Sequence, residues 1–266
     1  MSFTPVLPPS GLGGWRFLNA TMERQRATHD AAPALERDLD HFRARIGEVR
    51  TAEDLVSDRR LLGVALTAFG LEDDLPSRAL IRQVLEGGTD DPKSLANRLA
   101  DKRYRDLSSA FGLDGRPVPE TARPDFADMV AERYKARSFE LAVGVQDDSM
   151  RLAMNARREL SELAASGSSD EVKWLRIMGT PPLREVLENV LGLPKSFGTL
   201  SLDRQMSEFR ARAGATLGAS TVSEIASPEK LPALLDRFML LKGMNNPSSG
   251  PLSPAATIMA GMLARM

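Results

Sequence analysis

The sequence predicts an all-α fold, a multi-helix bundle organised around one long central helix. Three observations support this. Aromatic residues make up only 5% of the 266-residue chain, so residues that favour strands are scarce. Apolar residues recur at steps of three and four in most segments, as they do on one face of a helix. No segment shows the strict alternation of apolar and polar residues that is typical of a half-buried strand.

The helices and the segments between them suggest the domain organisation. Residues 1–14 are rich in proline and glycine and are predicted to be a flexible N-terminal arm. Residues 15–243 are predicted to form a single helical domain, and 244–253 a linker. Within the domain we distinguish three subregions, which are residues 15–113, the long helix at 125–165, and residues 170–243.

The long central helix is predicted from its spacing. From 125 to 165 there is no proline, and the only glycine is Gly144. Apolar residues step by four and seven, as in a coiled-coil seam. We therefore predict a single helix, with a bend at Gly144 or at Asp147-Asp148 left open. The seam residues are Val130, Tyr134, Leu141, Val145, Leu152, Ala156 and Leu163.

Several helix ends are marked by local chemistry. Thr51 with Asp54 three residues on predicts a capping box. Three predicted helices stop at a glycine followed by leucine, namely Gly70, Gly112 and Gly192. This repeated ending allows a weak internal duplication, although glycine followed by an apolar residue is also an ordinary helix stop, which we favour.

Two bulky side chains are predicted to belong to the core. Phe69 ends a helix that is apolar on nearly every side, and Trp174 lies on another densely apolar helix. We interpret both as packing residues rather than as ligand contacts.

Composition excludes several chemistries. The chain has no cysteine, which rules out disulfides, thiolate metal sites and cysteine nucleophiles. The two histidines, His29 and His41, lie twelve residues apart in the sequence, with no carboxylate cluster at the spacing of metal ligands, so we expect no metal site. Ser227 and Lys230 match the S-x-x-K pattern of acyl enzymes, but its usual partner motifs are missing, and Ser227-Pro228 is better interpreted as a helix start. We therefore nominate no catalytic, cofactor-binding or metal-ligating residue and expect a protein that is not an enzyme. The alternative is an enzyme with a dispersed active site that no motif reveals.

Charge and hydropathy indicate the kind of partner. The chain carries 35 Lys and Arg against 36 Asp and Glu, a net charge of -1. Nucleic-acid binding depends largely on excess positive charge, so we expect a protein partner instead. No apolar run approaches the roughly 20 residues that a membrane span needs. Residues 1–14 lack a charged region followed by an apolar stretch, so we expect no cleaved secretory signal and a cytoplasmic protein, with its oligomeric state left open.

The C-terminal segment offers the one candidate binding surface. Residues 254–266 are predicted to form an amphipathic helix with a methionine-rich apolar face. Methionine side chains adapt to varied surfaces, so we hypothesise that this face binds a partner, the alternative being that it packs on its own domain. The proposed contact residues are Ile258, Met259, Met262, Leu263 and Met266.

Several segments together resemble one bacterial family of unknown function whose genes commonly lie in flagellar gene clusters. The matching residues are Thr51-Ala52-Glu53-Asp54-Leu55, Leu61-Leu62, Ala68-Phe69-Gly70-Leu71, Asp91-Pro92, Ser94, Asn97, Asp101, Arg103-Tyr104, Tyr134, Phe139-Glu140, Val143-Gly144 and Arg151. These are helix caps and core positions rather than reactive groups. The resemblance implies a structural, assembly or regulatory role in the flagellar system through helix–helix contacts, and it leaves open export by a flagellar-type apparatus.

Overall fold

The computed structural model describes residues 3–7 and 10–245, and every regular element in them is an α-helix or a short 3-10 turn. The all-α, multi-helix prediction is therefore confirmed. The α-helices are α1 (Gly11–Asp30), α2 (Pro33–Arg45), α3 (Ala52–Ser57), α4 (Arg59–Ala68), α5 (Arg78–Gly87), α6 (Leu95–Arg98), α7 (Arg103–Phe111), α8 (Phe126–Gly144), α9 (Asp148–Ala165), α10 (Asp170–Met178), α11 (Pro181–Val190), α12 (Leu202–Leu217), α13 (Val222–Ile225) and α14 (Lys230–Asn245). The 3-10 turns are Ile46–Glu48, Glu72–Asp74, Glu120–Ala122 and Lys195–Thr199.

The core consists of two main apolar clusters that α8 connects. The first cluster is built from α2 to α5, α7 and the start of α8, and it contains Phe69 and Val130. The second is built from α1, the end of α8 and the helices from α9 to α14, and it contains Phe139 and Trp174. Phe69 is 4% exposed and Trp174 is 0% exposed, which confirms that both are core residues.

The predicted single helix over 125–165 is wrong. The segment forms two helices, α8 and α9, joined by residues 145–147. Arg158 of α9 hydrogen-bonds to Glu140 of α8, so the two helices run antiparallel as a hairpin. The apolar spacing runs through the turn and so hides it. Val145, which was counted in the seam, lies in the connection and is 88% exposed, and Val130 and Leu152 belong to different apolar clusters.

Two side chains explain why the chain turns here. The carboxylate of Asp147 accepts hydrogen bonds from the backbone N–H groups of Ser149 and Met150, at 2.9 and 3.2 Å, and so caps the start of α9. Gly144 allows α9 to approach closely, since a Cβ there would lie 2.5 Å from Cδ of Arg151. The turn is therefore specified by a cap and a close approach.

We expect Gly144→Ala to lower the free energy of unfolding by about 1–3 kcal/mol, because the new methyl group overpacks the hairpin against Arg151. Gly63→Ala is the matched control, since Gly63 also lies in a helix but no atom lies within 4 Å of the added Cβ. Chemical denaturation of both variants measures the difference. Equal stability of the two variants would contradict the close approach.

The bounds of the predicted arm at 1–14 differ from the structure, and its flexibility stays a prediction. Helix α1 already begins at Gly11, and residues 3–7 pack against the second cluster through Phe3 and Leu7. The side-chain amides of Gln25 and Gln146 hydrogen-bond to the backbone of this segment. Proline and glycine suggested mobility, but the apolar side chains between them provide the contacts that hold the segment.

The predicted helix ends are largely confirmed. The hydroxyl of Thr51 accepts from Asp54 N–H at 3.1 Å, and the Asp54 carboxylate accepts from Thr51 N–H at 2.9 Å, as a capping box requires. Gly70, Gly112 and Gly192 all have positive φ angles, of 71°, 57° and 64°, which favour glycine at the end of a helix.

The end of the domain differs from its prediction. Helix α14 begins at Lys230 rather than at Pro228, although the Ser227 hydroxyl still accepts from Lys230 N–H at 3.3 Å. The helix runs to Asn245, so the first two residues of the predicted linker at 244–253 are helical. The predicted helix at 254–266 lies outside the described residues, as do all five of its proposed contact residues.

Candidate functional site

A polar cavity of about 240 Å³ lies between the two apolar clusters. The end of α4, one face of α7, the middle of α8, the second half of α9 and the end of α10 enclose it. Five arginines and three acidic residues contribute to its wall, so its chemistry is that of guanidinium and carboxylate groups. The lining residues are Ala68, Phe69, Arg103, Asp106, Ser109, Ala110, Arg133, Arg137, Arg158, Glu159, Glu162, Leu163, Arg176 and Thr180.

The floor of the cavity is an ion-pair network across the α8–α9 hairpin. Arg158 donates to both oxygens of Glu140, at 2.9 and 3.2 Å, in a bidentate pair. Arg158 also donates to Glu159 at 2.9 Å, and Arg137 donates to the same Glu159 oxygen. The Asn155 amide lies between the two arginines, and its oxygen accepts from both when it faces them. Glu140 is 5% exposed and Arg137 is 9% exposed, so these charges are buried.

The buried side chains of the network stay ionised because each one has oppositely charged partners. Burial alone would raise the pKa of Glu159, but the guanidinium groups of Arg137 and Arg158 lower it below its ordinary value. Burial alone would lower the pKa of Arg158, but the carboxylates of Glu140, Glu159 and Glu162 raise it. The pKa of Arg137 is lowered by burial and by its neighbour Arg158. Removing any one partner would leave an uncompensated buried charge.

Further pairs join the cavity wall to the rest of the fold. Arg176 of α10 forms an ion pair with Asp106 of α7, which ties the two apolar clusters together. Arg103 donates to Asp101 and to the Gly70 carbonyl oxygen at the end of α4. Together these bonds fix α7 relative to α4 and α10.

Arg133 differs from the other arginines of the wall. Its guanidinium stacks on the Phe69 ring, 5.1 Å from the ring centroid. Among residues 3–7 and 10–245, no carboxylate lies within ion-pair distance of it. Its side chain is exposed at the mouth of the cavity, so it covers Phe69 from the solvent side.

The wall contains few groups that could carry out a reaction. Its hydroxyl groups are Ser109, which is exposed, and Thr180, which donates to the Arg176 carbonyl oxygen at 2.8 Å. Histidine, lysine and tyrosine do not line the cavity. Burial raises the pKa of Asp106, but the ion pair with Arg176 holds its carboxylate in place. No hydroxyl of the wall is therefore paired with a base.

The two histidines and the S-x-x-K lysine that were considered in the sequence do not line the polar cavity. His29 is buried and contacts Asp30 through Nδ1 at 2.9 Å, whereas His41 contacts Asp58 through Nε2 at 2.7 Å. Lys230 Nζ donates to the Gly218 carbonyl oxygen. Within the described part of the chain, no group of three or more His, Asp or Glu side chains is arranged to hold a metal ion.

Sequence reasoning missed the cavity. Arg157-Arg158 is a charged pair of a kind usually found on a solvated helix face, yet Arg158 is at the centre of the buried network. The signal was present in the seam, since Arg137 follows Val130 by seven residues and so continues its stripe. A charged residue at a seam position, with Glu140 one turn later, indicates a buried ion pair.

The fold and the cavity define an all-α protein with two apolar clusters bridged by a buried ion-pair network. The model of a family of proteins of unknown function, DUF1217, matches residues 68–231, more than half of the chain. The chain therefore belongs to the DUF1217 family, and the matched region contains the whole cavity wall. The resemblance to a family of unknown function is thus confirmed.

The fold also occurs in a solved structure. The crystal structure of protein AGR_C_984 from Agrobacterium tumefaciens is 25% identical in sequence, with a TM-score of 0.70. The alignment covers 91% of this chain and 100% of that one. The comparison with curated proteins gives no match. None of the helices in the described ranges is long and apolar enough to cross a membrane.

Proposed function

We propose that this chain is a non-enzymatic helical protein of the bacterial flagellar system, which acts by binding a protein partner through helix–helix contacts. The role is structural, regulatory or one of assembly. One observation carries the non-enzymatic part of the proposal. The acidic groups in the wall of the polar cavity are held by arginines, so the cavity braces the two apolar clusters and presents no activated nucleophile.

The flagellar part of the proposal rests on the family resemblance. Genes of the family that the sequence resembles commonly lie in flagellar gene clusters. The absence of cysteine and the low aromatic content are compatible with this class of protein. Fold alone does not specify function, so the test has to be made in cells.

Affinity purification tests the proposal directly. A tagged chain is purified from flagellated cells and from cells that lack the flagellar genes, with an unrelated tagged helical protein as the control. We expect at least one flagellar component to be enriched with the tagged chain from flagellated cells only. Recovery of the same proteins from both strains would count against the proposal.

One observation favours an enzyme as the second candidate. Burial raises the pKa of Asp106, which faces the polar cavity, and a perturbed carboxylate in a cavity is a common feature of active sites. We expect Asp106→Asn to support swimming as well as the wild-type chain does, because the role of Asp106 is to pair with Arg176. Loss of swimming with unchanged thermal stability would favour the enzyme. Asp128→Asn, which alters an exposed carboxylate, is the control.

The C-terminal segment gives a separate prediction. We expect a chain truncated before residue 254 to melt at the same temperature as the full chain but to lose its partner in the affinity purification. The apolar face of Ile258, Met259, Met262, Leu263 and Met266 would supply the contact. A clear drop in melting temperature would mean instead that this helix packs on its own domain.

A further inference from the structure

The polar cavity between the two apolar clusters carries hydrogen-bond donors that no acceptor in the described part of the chain uses. We propose that this cavity is a binding site for a small oxyanion, a phosphate or carboxylate group that Arg133, Arg176 and Ser109 hold from three different helices. The inference goes beyond the proposed function, which names a protein partner and no small ligand.

Arg133 supplies the main group of free donors. Each of the other four arginines of the wall is paired with a carboxylate, whereas over residues 3–7 and 10–245 Arg133 makes neither a hydrogen bond nor an ion pair. Its guanidinium lies over the Phe69 ring, with Cζ 5.1 Å from the ring centroid. A guanidinium that stacks on an aromatic face keeps the N–H groups at its edge available. Pairs of these N–H groups match two oxygens of a carboxylate or phosphate.

Two further side chains add donors from the other walls. Arg176 uses Nη1 for its ion pair with Asp106, and its Nε and Nη2 find no acceptor among the described residues. The hydroxyl of Ser109, an exposed residue of α7, makes no hydrogen bond to any described group either. Arg133 belongs to α8 and Arg176 to α10, so a ligand held by all three side chains would join elements of both apolar clusters.

The three carboxylates of the wall do not make the cavity a cation site. Glu159 is shared by Arg137 and Arg158, and Asp106 lies in its ion pair with Arg176. Glu162 lies 3.6 Å from Arg158 and its side chain is 56% exposed, so solvent and salt screen its charge. The carboxylates are therefore paired or screened, and the donors of Arg133 are the unused charged groups of the wall.

An anion in the cavity would also stabilise the floor. The pKa of Arg137 is lowered first by burial and then by the positive charge of Arg158. A negative charge nearby favours the ionised guanidinium against both effects. Arg137 lines the same cavity and follows Arg133 by one turn of α8, so an anion bound at Arg133 is close enough to act on it.

The size of the cavity limits the ligand. Its volume is about 240 Å³, whereas sites for drug-sized molecules have volumes of about 300–1,000 Å³. One water molecule takes up about 30 Å³ in the liquid, so the cavity has the volume of about eight waters. Inorganic phosphate or a short carboxylic acid fits that space, and a nucleotide does not.

Isothermal titration calorimetry of the full chain tests the site. The two probes are sodium phosphate and sodium succinate at neutral pH, with the ionic strength held constant by sodium chloride. We expect saturable one-site binding of at least one probe, and the comparison shows which oxyanion is preferred. Arg133→Gln should weaken binding at least about tenfold, because it removes charge-assisted hydrogen bonds, and Ser109→Ala should weaken it less. Arg105→Gln, which alters an exposed arginine of α7 outside the cavity wall, is the matched control.

Thermal unfolding supplies a second readout. A ligand that binds only the folded chain raises its melting temperature, so the preferred probe should stabilise the wild-type chain and Arg105→Gln but not Arg133→Gln. Circular dichroism confirms that each variant keeps its helices. Failure of both probes to bind saturably, or wild-type binding by Arg133→Gln, would overturn the site and leave Arg133 with the single role of covering Phe69. The titration contains no protein partner, so its outcome is independent of the affinity purification.

Discussion

Phe69→Ala is expected to lower the free energy of unfolding by about 3–5 kcal/mol, as truncation of a buried phenylalanine does when the surrounding core cannot collapse. Phe69 is 4% exposed, and its ring packs edge-on against Phe111 at 6.0 Å. The Arg133 guanidinium covers its other face. The loss would therefore include the ring contact and the stacked cation as well as the buried area. Equilibrium unfolding in urea measures it.

Phe17→Ala is the control for Phe69→Ala. Phe17 is 36% exposed on α1, and we expect its truncation to cost a small fraction of the Phe69 value. If both variants lost equal stability, the first apolar cluster would be more loosely packed than the burial of Phe69 indicates.

Glu140→Ala is expected to lower the free energy of unfolding at neutral pH by about 3–5 kcal/mol, because the buried guanidinium groups of Arg158 and Arg137 must then share Glu159, which leaves an excess positive charge in the interior. The matched control is Asp125→Ala. Asp125 also accepts a bidentate pair, from Arg123, but both side chains are well exposed, and surface pairs contribute about 0–1 kcal/mol.

A double-mutant cycle separates the energy of the ion pair between Glu140 and Arg158 from the other contributions that Glu140 makes to stability. In the Arg158→Met background, Glu140→Gln should cost less than it does alone, since the buried guanidinium it would leave unpaired is no longer there. If the double variant lost as much free energy of unfolding as the two single variants together, Glu140 would stabilise the hairpin through contacts other than its ion pair with Arg158.

Much of the fold could be predicted because local chemistry specifies it. The capping box at Thr51 and the glycine stops at Gly70, Gly112 and Gly192 each depend on residues within one or two helical turns. The burial of Trp174 and Phe69 followed from dense apolar helices. These features need no knowledge of which helices are neighbours.

The α8–α9 turn, the cavity and the docked N-terminal segment depend on neighbours distant in sequence. Asp147 can cap α9 only if α8 ends before it, and the unbroken apolar seam gave no sign of a helix end there. Gln146 reaches the Pro5 carbonyl across the whole first half of the chain. Arg176 meets Asp106 across the two apolar clusters. Composition suggested a mobile arm because it carries no information about such long-range contacts.

The central proposal is that the chain serves the flagellar system by binding a partner rather than by catalysis. Swimming of a strain that lacks the gene tests this proposal most directly, with filaments counted by electron microscopy. We predict that the deletion strain swims poorly or lacks normal filaments, and that the wild-type chain restores both. A deletion strain with normal filaments and wild-type swimming would contradict the proposal.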